Sequence, residues 1–193
     1  MRSFDPRRVG GFECRAWETY YQRRWAPFLV ASIGMVRSAF GMSWPRTLLG
    51  AWLVLRANQK WAPFPDNDPE AARALMRRFY RLLATGEDGA AFDTARAAEL
   101  EVEWWRAHRE AQHDPVKPDA PSPELVAALR DLYAYTYGVP AEDVTTAAEL
   151  RARAMDISDA WVEDGSLPGD SRLGEERALL VRSYASLLAA VHR

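Results

Sequence analysis

Large apolar side chains recur every three to four positions along almost the whole chain, and no stretch shows the strict alternation of a half-buried strand. That pattern restricts the fold to helices packed on helices. Prolines, glycines and small polar residues interrupt it, and they set the expected helix limits.

A first helix is expected over Phe12 to Trp25, with Cys14, Trp17, Tyr21 and Trp25 on one stripe. Pro27 bends or breaks the chain, because proline lacks the donor that a helix interior needs. A second helix then runs to about Met42. It is apolar on nearly all sides, with Leu29, Ile33, Val36 and Phe40 on one face and Phe28, Met35 and Met42 on another. Such a helix belongs in the middle of a bundle. Ser43-Trp44-Pro45 reads as an N-cap and early-turn proline opening a third helix to about Ala62, expected to bury Leu48, Trp52 and Leu55.

Asp68, Pro69 and Glu70 start a fourth helix that ends near Ala84, with Leu75, Phe79 and Leu82 inward. A turn at Gly86 to Gly89 leads to a fifth helix from about Thr94 to Gln112. The proline-bearing segment 114–122 is expected to be a flexible connection. Ser122-Pro123-Glu124 opens a sixth helix, closed by Gly138 and Pro140. Thr146 and Glu149 spell a capping box for a seventh, ending at Gly165. The last helix starts near Leu173 and aligns Leu173, Leu180, Tyr184, Leu187 and Val191.

Seven or eight helices with mostly short connections make an all-α fold, a single multi-helix bundle over residues 1–193. The roughly 70 residues after the 114–122 segment are marginal for a core of their own.

Composition removes several functions. Cys14 is the sole cysteine, so neither an intrachain disulfide nor a thiolate metal cluster can form. It reads as a small thiol on an apolar helix face, and the expected location is a reducing cytoplasm. No segment reads as a targeting or membrane-spanning element. Gly10-Gly11 lacks the Lys-Ser/Thr of a phosphate loop, and there is no Gly-x-Ser-x-Gly elbow. A net charge of −2 and a sequence pI of about 6.0 argue against specific nucleic-acid binding.

The chemistry concentrates in the run from Glu99 to His113. At about 100° per residue, Leu100, Trp104, Ala107 and Ala111 form its buried stripe, and Glu101 and His108 share one edge of that stripe with Trp105 and Gln112. A carboxylate and an imidazole beside two indoles suit acid/base work or ion binding between facing helices. Glu101 and His108 are therefore the expected catalytic pair of an interior small-molecule site walled by Tyr20, Tyr21, Trp104 and Trp105. Asp156 and Asp159 could join Glu101 and His108 as ligands of a transition-metal cofactor. The most concrete form of this reading is a metal-dependent oxidation of a small hydrophobic molecule. Glu110 and His113 match the Glu-x-x-His spelling of di-iron bundles, but the chain has no second such pair. His113 suits the helix C-terminus, and His192 is penultimate.

A different reading rests on charge. Residues 1–63 hold ten Lys/Arg against three acids, and the remainder holds fifteen against twenty-four. The same third carries Trp17, Trp25, Trp44, Trp52 and Trp61. A non-catalytic interaction protein could use it to dock an anionic protein or lipid surface. The plainer account is that these indoles share the interior and the two oppositely charged parts pack together. Monomer and homo-oligomer are both compatible with the residues.

Overall fold

The computed structural model describes residues 3–85, 92–114 and 120–193. They form eight α-helices: α1 (Pro6–Tyr21), α2 (Trp25–Phe40), α3 (Trp44–Trp61), α4 (Pro69–Ala84), α5 (Thr94–His113), α6 (Pro123–Tyr137), α7 (Thr145–Glu163) and α8 (Arg172–Val191). A 3₁₀ turn, Ala141–Val144, precedes α7, and no strand occurs among the described residues. The fold is an all-α multi-helix bundle, as the periodicity requires. None of these helices is long and apolar enough to cross a membrane. The expected turn at Gly86 to Gly89 and the middle of the 114–122 connection lie outside the described residues.

Local chemistry explains where several helices begin and end. The Asp5 carboxylate accepts from the backbone N–H groups of Arg7 and Arg8, with Pro6 in the first turn, so α1 starts well before its apolar stripe. It stops at Tyr21 because Arg23 turns left-handed, at φ 56°. Pro27 does not break α2; it sits in the first turn, where its missing donor has no partner to lose. Asp68 caps α4 and Ser122 caps α6, while Gly138, at φ 62°, ends α6.

Two expectations fail here. Thr146 and Glu149 form no capping box, because the 3₁₀ turn runs straight into α7 at Thr145 and carries Thr146 inside the helix. Leu48 and Trp52 are not core residues. They are 50% and 49% exposed, whereas Leu55 is buried. Helix α3 buries Leu53, Val54, Ala57 and Trp61 and turns a second apolar face outward.

Each helix packs against its neighbours in sequence, and α8 packs against α1, so the eight close into a ring. Gly10 makes that last seam possible. A Cβ there would lie 2.8 Å from the Val181 backbone nitrogen, closer than two such atoms can come. Helix α7 leans inward far enough to touch α1 and α5 as well.

Candidate functional site

The ring leaves a central chamber of about 170 Å³, and every one of its eight helices contributes to the wall. One side is apolar, with Phe28 and Val36 from α2, Val54 from α3, and Met76 and Phe79 from α4. The other side carries Glu13, Tyr80, Glu101, Tyr133 and Arg151.

The charged residues are inward because helical spacing puts them there. Glu13 falls between Val9 and Ala16 on the inner row of α1 and is 2% exposed. Arg151 falls between Ala147, Ala148, Ala154 and Met155 on α7 and is 8% exposed. The Arg151 guanidinium donates through Nη2 to Glu13 Oε1 and through Nη1 to the Tyr133 hydroxyl, 3.3 Å away. It also lies 4.6 Å from the centre of the Trp104 ring. Tyr80 donates to Glu101 Oε2 over 2.7 Å. Burial raises the pKa of Glu101 above the usual carboxylate value; the charge of Arg151 and the Tyr80 hydroxyl oppose it. The Trp104 indole also favours the charged form, although its N–H closes no hydrogen bond of normal geometry.

These contacts do not use every polar atom. Glu13 Oε2, Arg151 Nε, Trp104 Nε1 and Ser32 Oγ are buried and close no hydrogen bond of normal geometry among the described residues, although Tyr184 lies near Glu13; all four side chains line the chamber. An unmatched buried donor or acceptor costs about 1–3 kcal/mol. Several in one small space make a site able to take a polar group.

A second cavity, of about 440 Å³, lies beyond Trp104 and Trp105, which line both. His108 Nε2 is 3.1 Å from Asp159 Oδ2. Asp159 Oδ1 accepts from Gln112 Nε2 at 2.7 Å and from the Tyr21 hydroxyl at 3.4 Å. Arg109 bonds the Trp61 carbonyl at 2.9 Å and the Tyr20 hydroxyl at 3.3 Å. The Tyr21 phenol is raised well above its ordinary pKa, first by burial and then by the charge of Asp159.

The structure thus brings most of the expected site together, though not all of it. Tyr20, Tyr21, Trp104, Trp105, His108 and Asp159 all line the second cavity. Glu101 faces the central chamber instead. It lies on the same edge of α5 as His108, but seven residues of helix separate them by about 10 Å, and the two indoles occupy the interval. Asp156 is exposed, one turn before Asp159 on α7. Glu101, His108, Asp156 and Asp159 therefore do not converge, and no group of three His, Cys, Asp or Glu suited to a metal ion occurs among the described residues. Glu110 pairs with Arg106 on the outer face of α5, while His113 stacks by Phe64, with ring centroids 4.4 Å apart.

Tyr80, Tyr133 and Arg151 are the site residues that sequence reasoning missed. A signal was present for Arg151: like Glu13, it is a lone charge in the middle of an inward-facing row of small and apolar residues. Compared with known proteins, the chain matches no family model, no curated protein and no solved structure.

Proposed function

We propose that this protein binds a small, mostly apolar molecule with one neutral polar group, held in the central chamber beside Glu101. The observation that carries this reading is the set of unmatched buried atoms on Glu13, Arg151 and Trp104, facing a chamber whose opposite side is mostly apolar. A hydroxyl group suits them, since it can accept from Arg151 Nε or Trp104 Nε1 and donate to Glu13 Oε2. A carboxylate suits them poorly, because Arg151 is already committed to Glu13 and Glu101 lies close by. The volume sets the size of the apolar part. A dry cavity of roughly 150 Å³ accepts benzene, so a single ring or a short branched chain is the right scale.

This keeps an interior site on the Glu101 helix and departs from a metal centre. Among the described residues His108 and Asp159 supply two donors, and Glu101 lies beyond the tryptophans, so these residues do not fit a metal-assisted oxidation. A proton exchange between Glu101 and a bound hydroxyl is supported by the raised pKa of this carboxyl and by the Tyr80 hydroxyl that donates to it.

Titration with benzyl alcohol, toluene and benzoate, followed by calorimetry and tryptophan fluorescence, tests the reading. Benzyl alcohol is expected to bind saturably, toluene at least fivefold more weakly, and benzoate not at all. Ala39→Phe, which fills the chamber wall, is expected to abolish binding in protein whose helicity is unchanged. Absence of saturable binding by the alcohol would remove the proposal, as would equal affinity for toluene.

A further inference from the structure

The outward face of α3 has no role in the chamber, yet it holds four of the seven exposed large apolar side chains among the described residues. Trp44, Leu48, Leu49 and Trp52 are 58%, 50%, 43% and 49% exposed. At 100° per residue they fall within one arc, opposite the buried Val54, Ala57 and Trp61. Basic residues frame this arc. Arg37 lies 4.9 Å from the centre of the Trp44 ring, Arg56 lies 5.9 Å from that of Trp52, and Lys60 is exposed one turn beyond Arg56. The surrounding chain carries no opposing charge: no Asp or Glu occurs between Glu18 and Asp66, a span that holds six Lys/Arg.

Trp44 and Arg37 also line the edge of a surface groove of about 940 Å³ between α1, α2 and α8. Arg7, Arg8, Arg15, Arg24 and Arg177 line it too, against the single carboxylate of Glu18. An apolar ridge thus runs into a cationic trough.

We propose that this face docks on an anionic phospholipid bilayer, with Leu48 and Leu49 entering the acyl boundary, Trp44 and Trp52 at the headgroup level, and the arginine groove holding lipid phosphates. Indoles settle at that depth because one edge is apolar and the other donates a hydrogen bond. Leucines between them gain only by leaving water, which a bilayer provides and a nucleic-acid backbone does not. The uniform positive charge complements an anionic leaflet. This inference is independent of the chamber and goes beyond it.

Co-sedimentation with vesicles of phosphatidylcholine and phosphatidylserine at 3:1, and of phosphatidylcholine alone, tests it on the intact chain. At 0.1 M NaCl the protein is expected to bind the anionic vesicles at least tenfold more tightly, with a blue shift of its tryptophan emission, and 0.5 M NaCl should release most of it. Leu48→Ser/Trp52→Ser and Arg7→Glu/Arg15→Glu alter exposed side chains. Each pair is expected to cut binding at least tenfold while benzyl alcohol binding and helicity stay unchanged. The proposal fails if anionic vesicles are not bound, or if both double variants bind like the parent. It fails equally if a single-stranded oligonucleotide competes the protein off the vesicles. A stable dimer in sedimentation equilibrium that Leu48→Ser/Trp52→Ser dissociates would assign the face to a second copy and overturn it.

Discussion

Arg151 of α7 and Glu13 of α1 form a buried ion pair in which each partner keeps one unmatched atom, Nε on the arginine and Oε2 on the glutamate. Burial alone would lower the pKa of Arg151, but Glu13, Tyr133, Tyr184 and Glu101 together outweigh it and hold the guanidinium firmly protonated. Two charges removed from water rarely add net stability, since desolvation offsets most of their attraction. The pair therefore makes more sense as a recognition element than as a structural staple.

That view separates two variants. Arg151→Met alone should destabilise the fold by about 3–5 kcal/mol, because it strands the Glu13 carboxylate in the interior. Glu13→Leu/Arg151→Met should recover most of that loss in urea unfolding. It should also leave the chamber unable to distinguish benzyl alcohol from toluene.

Glu176 of α8 gives the fold a dependence on pH. It is 0% exposed and its Oε2 accepts from Ser158 Oγ at 3.0 Å. Burial pushes its pKa up to about 8. A folded value above the unfolded one means that the native state binds the extra proton. Its contribution is complete below the unfolded carboxylate range, about pH 4, and is lost as pH rises to about 8. Stability should fall by roughly 1 kcal/mol per pH unit across that window. Glu176→Gln should flatten this part of the profile in urea titrations run from pH 5 to pH 8.

Cys14 should be chemically quiet. Its thiol is buried, donates to the Leu173 carbonyl at 3.4 Å, and is raised far above the ordinary thiol pKa, first by burial and then by the charge of Glu176. Iodoacetamide at pH 8 is expected to label it at least a hundredfold more slowly in native protein than in urea, as read by intact mass.

Asp159 serves three donors at once, through His108, Gln112 and Tyr21. Asp159→Ala should cost about 1–3 kcal/mol by leaving them without their acceptor. Asp159→Asn should cost less, because an amide oxygen can still accept one bond. Thermal unfolding at pH 7 distinguishes the two.

The legible features were those whose cause is local. Asp68 with Pro69, Ser122 with Pro123, and Gly138 announce helix ends because a cap or a left-handed turn acts within a few residues. The inward placement of Trp104, Trp105 and His108 followed from one angle per residue. Trp52 and Leu48 were misplaced because periodicity identifies an apolar face without saying what covers it, and α3 has two such faces. The separation of Glu101 from His108 was hidden for a related reason: angle puts them on one line, while only packing shows that the indoles fill the distance between them. The meeting of Glu13 with Arg151 joins helices 138 positions apart and has no local trace beyond two misplaced charges.

The seam at Gly10 has a consequence for how the molecule assembles. Seven of the ring's eight interfaces join helices adjacent in the chain, and each can zip up as a hairpin soon after its turn forms. The eighth joins positions such as Cys14 and Leu173, 159 residues apart, and carries the largest loop-closure cost unless the intervening helices have already gathered its ends together. Without that seam the inner wall would be open between α1 and α8. The cavity, and with it any capacity to hold a guest, is complete only once α8 meets α1, the contact with the longest loop to close.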